Sequence, residues 1–153
     1  MKKTIVTLLA FLLLLAGLTS CGEKAEPIDL ASLAEKLIAE AEFTDELVAR
    51  RPEKIAERYN VENYADAVCY ATGGATAEEI ALFEGNDKKA ADAIYERMES
   101  YLSSQLRSYE SYNPDGVVNL EKAILSEVGN NVIYIVCADD AGAAEVLSAF
   151  LGK

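Results

Sequence analysis

Apolar and polar positions divide the chain into a leader and a patterned body. Ile5 to Leu18 is apolar apart from Thr7 and Gly17, and is preceded by Lys2 and Lys3. From Leu30 the apolar residues become periodic. Leu30, Leu33, Ala34, Leu37, Ile38 and Ala41 recur at three- and four-residue steps, one stripe of a helix that Asp29 can cap and that Phe43 and Thr44 end. Asp45 to Val48 adds at most a turn. Pro52 suits a first helical position, and Glu53 to Tyr59 reads as a shorter helix with Ile55, Ala56 and Tyr59 inward, stopped at Asn60. From Ala67 the period changes. Ala67 to Thr72 and Glu78 to Phe83 are strand-like runs separated by a segment containing Gly73 and Gly74, which reads as a hairpin. Asp87 caps a long helix with Ala91, Ile94, Met98, Tyr101, Leu102, Gln105 and Tyr109 on one face, ended by the turn Tyr112-Asn113-Pro114-Asp115-Gly116. Leu120 to Val128 is a third strand and Gly129-Asn130-Asn131 a turn. Val132 to Ala138 is continuously apolar and therefore a central strand. Asp139 or Asp140 caps a last helix carrying Ala143, Val146, Leu147, Phe150 and Leu151.

This order predicts an α+β domain. Two strand-strand-helix units build a two-layer, four-stranded antiparallel sheet, preceded by N-terminal helices. The sheet's second face is either wet or covered by those helices.

The leading run is shorter than the roughly 20 residues that cross a bilayer as a helix. With its basic flank it has the form of a signal sequence. The residues that follow, Leu18-Thr19-Ser20-Cys21, are similar to the lipobox of bacterial lipoproteins. That resemblance implies cleavage after Ser20 and a diacylglyceryl group on the Cys21 thiol. The expected organisation is a signal peptide over 1–20, a lipidated Cys21 and short tether over 21–28, and a single α+β domain over 29–153. The protein is then expected at the cell membrane, lipid-anchored on its extracytoplasmic face.

Charge narrows the partners. The chain has 14 Lys and Arg against 26 Asp and Glu. Removing the leader takes away Lys2 and Lys3 and no acid, so the mature chain carries 12 basic and 26 acidic residues, a net charge of −14. Nucleic acid is excluded as an expected partner, because its binding rests on Lys and Arg neutralising phosphates. Anionic lipid and anionic wall polymer are disfavoured on the same ground.

The sequence contains no histidine. Ser-His-Asp and Cys-His catalysis and histidine-ligated zinc are therefore ruled out, and no Cys-x-x-Cys occurs. No Ser is followed three residues later by Lys, and no glycine-rich phosphate motif occurs. No cofactor or metal is implied. Gly73-Gly74 could cradle an anion, although a plain hairpin turn is the simpler reading. Cys69 and Cys137 both lie in apolar strand-like runs. They form a candidate disulfide, which export would permit, if their Cα atoms come within about 7 Å. Otherwise they are two buried small hydrophobes.

Three further features carry a weighed reading. Tyr101, Tyr109 and Tyr112 beside Pro114 could stack on a ligand or form an interface, or pack the helix end with their hydroxyls in water, which is favoured. Arg97 could hold a carboxylate in a pocket, or pair on the surface with Glu96 or Glu99. Asp139-Asp140 could contribute to a cation site, or cap a helix, which needs no further assumption.

Several segments carry a family likeness in their order and spacing. They are Glu78-Glu79-Ile80-Ala81-Leu82-Phe83, Arg97 in mid-helix, Tyr109-Glu110-Ser111-Tyr112-Asn113-Pro114, and Gly129-Asn130 followed by Val132. Together they resemble an uncharacterised family of small lipoproteins from Gram-positive, clostridial-type bacteria, catalogued as a domain of unknown function. The likeness extends over roughly residues 30–151. It implies location and fold, and no activity. The leading functional expectation is a non-catalytic accessory module, anchored through Cys21 and acting through contacts with an envelope protein. It predicts an exposed apolar or tyrosine-rich patch. The alternative is a small-ligand or cation-binding lipoprotein feeding a membrane system, with an enclosed pocket of convergent polar groups near Arg97.

Overall fold

The structure, a computed structural model, describes residues 27–74 and 76–152. The leader, Cys21 and the tether up to residue 26 lie outside the described residues. Helix α1 spans Leu30–Glu40 and buries Leu30, Leu33, Ala34 and Leu37 of the predicted stripe, while Ile38 is exposed and Ala41 is the half-buried C-cap. Its cap is Asp29, whose side chain accepts the Ser32 amide at 3.0 Å. A two-residue strand β1, Val48–Ala49, leads into α2, Pro52–Tyr59. The first position of α2 is Pro52, and it ends at Asn60 in the left-handed region, φ 52°. The hairpin strands β2, Tyr64–Ala71, and β3, Glu79–Gly85, are followed by the 25-residue α3, Lys88–Tyr112. A 3-10 turn at Pro114–Gly116 passes into α4, Val117–Glu121. Then come β4, Ile124–Val128, β5, Asn131–Val136, and α5, Asp140–Phe150. Asp87 caps α3 and Asp139 caps α5, accepting the amides of Ala90 at 2.8 Å and Gly142 at 3.1 Å.

The strands form one antiparallel sheet in the order β1-β2-β3-β5-β4. Every residue of β5 is buried, and so is every residue of β3 except Glu84. Their side chains alternate between two cores. Ala81, Phe83, Val132, Tyr134 and Val136 face α2, α3 and α4. Ile80, Leu82, Ile133 and Ile135 face α1 and α5. A central strand pair that is apolar on both sides needs cover on both sides. Full burial of each such Leu, Ile or Phe contributes roughly 1.5–3 kcal/mol.

Three expectations are corrected. The sheet has five strands, because the segment read as a turn supplies Val48 and Ala49, which pair with Ala71 and Tyr70 along the β2 edge. The domain has three layers, because α1 and α5 cover the face that a two-layer reading leaves open. The two strand-strand-helix segments are not equivalent units, since α3 and α5 lie on opposite faces. In addition, Leu120 and Glu121 belong to α4, and the fourth strand starts only at Ile124.

The same alternation decides the cysteines. Cys69 and Cys137 are both buried, the first in the core under α2 and α3, the second in the core under α1 and α5. With the sheet between them they are free thiols, and the candidate disulfide is corrected accordingly. Alkylation in denaturant without reductant should modify both residues, as read by peptide mass spectrometry. A Cys69–Cys137 linked peptide would contradict the fold.

Candidate functional site

The first two residues of the acidic-then-apolar segment point to opposite faces of the sheet, as strand alternation requires. Glu79, 3% exposed, lies on the α2–α3 face. Its carboxylate accepts from Arg58 Nε at 3.0 Å and from the Tyr101 hydroxyl at 3.0 Å. The Tyr59 hydroxyl donates to it as well and stands 2.9 Å from Cys69 Sγ. A buried carboxylate is costly unless paired and hydrogen-bonded. Here one cation and two phenols, from α2 and α3, meet that need. The ring centroids of Tyr59 and Tyr101 lie 4.9 Å apart, edge to face, and the Arg58 guanidinium stands 5.7 and 5.8 Å from them.

Electrostatics follow from this packing. Burial works against the charge on Arg58, and Glu79 more than offsets it, so the guanidinium pKa rises. Burial, reinforced by the Glu79 charge, raises the phenols of Tyr59, Tyr101 and Tyr134. Burial pushes the Cys69 and Cys137 thiols up to about 11. A thiol of that pKa is overwhelmingly protonated at neutral pH and a poor nucleophile. The cluster is thus a positioning device. It fixes the end of α2, and Arg58 with it, against the sheet. Glu78 does related work on the other side, accepting the amides of Thr44 at 2.9 Å and Asp45 at 3.0 Å, which holds the segment between α1 and β1.

Next to this anchor, β1 and α2 border an open cleft of about 540 Å³ lined by Ala49, Arg50, Arg51, Lys54, Glu57 and Arg58. Arg50 and Arg58 also line an adjoining hollow of about 160 Å³ that reaches Gly73, Gly74, Gln105 and Tyr109. Arg50 is set by the sheet edge. Its amide donates to the Cys69 carbonyl at 2.8 Å, and its Nη2 donates to the carbonyls of Ala71, at 3.3 Å, and Thr72. Its Nε is buried with no hydrogen-bond partner among the described residues. Arg51 pairs with Glu53 at 3.4 Å and Lys54 with Glu57 at 2.6 Å, both pairs exposed. The turn that closes the hollow needs Gly74 for its positive φ of 110°.

The residues singled out in the sequence are not gathered here. Arg97 is exposed and donates its Nε to the Asn60 carbonyl at 3.2 Å, beside a separate hollow of about 340 Å³. It makes no ion pair with Glu96 or Glu99, so the surface-pair reading is corrected. Tyr109 is buried and lines the inner hollow, while Tyr112 is 70% exposed, its ring 6.1 Å from that of Tyr109. A Cβ on Gly116 would come within 2.6 Å of the Tyr109 ring, which is why the turn there carries glycine. Asp139 caps α5, and Asp140 pairs with Lys122 at 3.4 Å. Among the described residues no group of three or more acidic or cysteine side chains is placed to hold a metal ion. Of the tyrosines named together, only Tyr101 joins the buried network.

Sequence reasoning passed over Arg50, Arg51, Lys54 and Arg58; it placed Tyr59 inward and Glu79 in a segment of family likeness but gave neither a site role. One signal was available: residues 50–58 hold four of the chain's 14 Lys and Arg. So dense a basic run in an acidic chain marks a local reversal of field.

A family model described as "Domain of unknown function (DUF4358)" matches residues 39–137, a span that includes all five strands and the whole Arg50–Arg58 segment. No curated protein and no solved structure matches the chain.

The buried cluster and the thiols yield three predictions. Glu79→Ala leaves Arg58, Tyr59 and Tyr101 without their shared acceptor and should cost about 3–5 kcal/mol in urea unfolding. Tyr134→Phe should be neutral or stabilising, because the Tyr134 hydroxyl is buried without a partner among the described residues. The pH profile tests the thiols. Between about 9 and 11 the unfolded chain loses thiol protons that the folded chain keeps, so stability should fall as pH rises through that window. Cys69→Ala should flatten part of the decline; an unchanged slope would contradict a buried, neutral thiol.

Proposed function

The chain belongs to the DUF4358 family, whose description carries no activity, and from its own residues we propose that it is a membrane-anchored extracytoplasmic lipoprotein of a Gram-positive bacterium that binds a small ligand without transforming it. The anchor is Cys21. The observation that carries the binding reading is the Arg50–Arg58 cleft, whose volume of about 540 Å³ falls in the range of small-molecule sites and whose charged side chains converge from a strand edge and a helix. The cationic lining argues against a cation as the ligand. Arg97, the residue first considered for this role, is replaced by Arg50. The bound ligand would be presented to an envelope partner at the membrane surface.

A second reading has its own observation. Ile38, Ala41, Phe43 and Leu47 surround an open hollow of about 600 Å³ bordered by Glu42, Asp45 and Glu46. This apolar floor with an acidic rim suits a basic, amphipathic segment of a partner protein, the accessory-module role.

Two measurements test the proposal. Cys21→Ser should release the protein from the membrane fraction; full retention would overturn the anchor. Thermal unfolding of the detergent-solubilised full chain against a metabolite panel should reveal a compound that adds about 2.7 kcal/mol at a hundred times its Kd. That corresponds to a rise of several degrees. Lys54→Glu, an exposed change at the cleft mouth, should abolish the rise. A rise that survives it would move the ligand elsewhere.

A further inference from the structure

We infer that the ligand of the Arg50–Arg58 cleft is a small, soluble phosphate-bearing compound, its phosphate held at Arg50 with Arg51 and Lys54. This rests on the ligand-binding reading of the same cleft and adds the chemical class.

Charge balance is the first step. Three of the four cations lining the cavity have a carboxylate partner: Glu53 for Arg51, Glu57 for Lys54 and Glu79 for Arg58. Arg50 has none within 4 Å among the described residues, although it is half-buried. A partly buried guanidinium without a counter-charge draws an anion into the site. The Arg51 and Lys54 pairs are exposed, and such pairs are worth little, so an incoming anion competes with Glu53 and Glu57 on favourable terms. Arg58 is held away by the buried Glu79. The available set is therefore Arg50 plus two loosely engaged cations. That set suits a group of about −1.5 to −2 charge, which a phosphate monoester carries at neutral pH, better than a single carboxylate. Three oxygens also offer each cation its own acceptor, and the exposed planar fork of Arg51 fits them.

Shape and field select the small, soluble form. The adjoining hollow, which shares Arg50 and Arg58 with the cleft, is lined by Thr72, Thr76 and Gln105 together with Glu78 and Glu79, acceptors and donors for the hydroxyls of such a compound rather than for its phosphate. Screening confines the cleft's positive field to about 8 Å at physiological ionic strength. A small ion inside the cleft meets that field, whereas a membrane or polymer must approach the rest of a chain with net charge −12. A lipid headgroup and a free phosphate ester share the recognised chemistry, and this asymmetry favours the free one.

Calorimetric titration of the detergent-solubilised full chain, at fixed ionic strength, tests the inference. The probes are inorganic phosphate, glycerol 3-phosphate and acetate. Expected are saturable one-to-one binding of both phosphates and binding of acetate at least about tenfold weaker. Arg50→Gln should abolish phosphate binding. Because Arg50 also ties the β2 end, the exposed double variant Arg51→Gln/Lys54→Gln gives the second arm and should weaken phosphate about tenfold with unchanged Tm. Phosphate binding untouched by these variants overturns the inference, as does acetate binding as tightly as phosphate. Binding to phosphatidic acid vesicles but not to free phosphate overturns the soluble form. If some other panel compound binds and the double variant weakens it, the phosphate class falls and the ligand-binding reading stands. If no compound responds to the cleft variants, both fall.

Discussion

Two adjacent strands with no wet face dictate most of this molecule. β3 and β5 pair from Glu79–Val136 to Glu84–Asn131, and side chains from both strands enter both cores. A sheet whose centre is apolar above and below stays out of water only when helices lie on both sides. Helices α1 and α5 close one side; α2, α3 and α4 close the other. The shorter strands β1 and β4 then sit at the edges, where partial exposure is tolerable.

The buried Glu79 is a consequence of this arrangement and the origin of the cleft. It starts β3, so it enters the covered region on the α2–α3 face. An unpaired carboxylate there would be prohibitive. The donors come from the last turn of α2 and from the middle of α3, which fixes where α2 ends relative to the sheet. The C-terminal end of α2 is pinned at Arg58 and Tyr59 and its approach is pinned by Arg50 on the β2 edge, and the cleft lies along the segment between them. The cavity is what remains between two fixed attachments, and its walls carry the cations that make the attachments.

Much of the fold was legible in sequence because it rests on local rules. Asp29, Asp87 and Asp139 cap the helices they precede, Pro52 and Asn60 bound α2, and the continuous run after Asn131 is a central strand. What local rules could not reach was pairing. β1 has only two residues, too few for a period to show, and exists because the β2 edge offers Tyr70 and Ala71. The layer count likewise depends on which side of the sheet each helix takes, and nothing within α1 or α5 encodes that choice. The site was least legible of all. Glu79 stands 21 residues from Arg58 and 22 from Tyr101, and a carboxylate in an acidic chain reads as solubility until the fold buries it. Arg97 and Tyr112 attracted notice by residue type, yet both remain at the surface.

The basic segment has to be weighed against the charge of the whole chain. A net charge of −12 sets the long-range field and repels polyanions, which argues against nucleic acid and anionic surfaces as partners. Within a Debye length the local charges decide instead. Four cations within nine residues, three of them with carboxylate partners and one with none among the described residues, make a site that is positive only at close range. Such a division gives selectivity by size. An anion small enough to enter is drawn in, and one carried on a large anionic surface is turned away before it arrives. For the lipid-anchored form proposed above, that exclusion would keep the cleft available to a soluble anion.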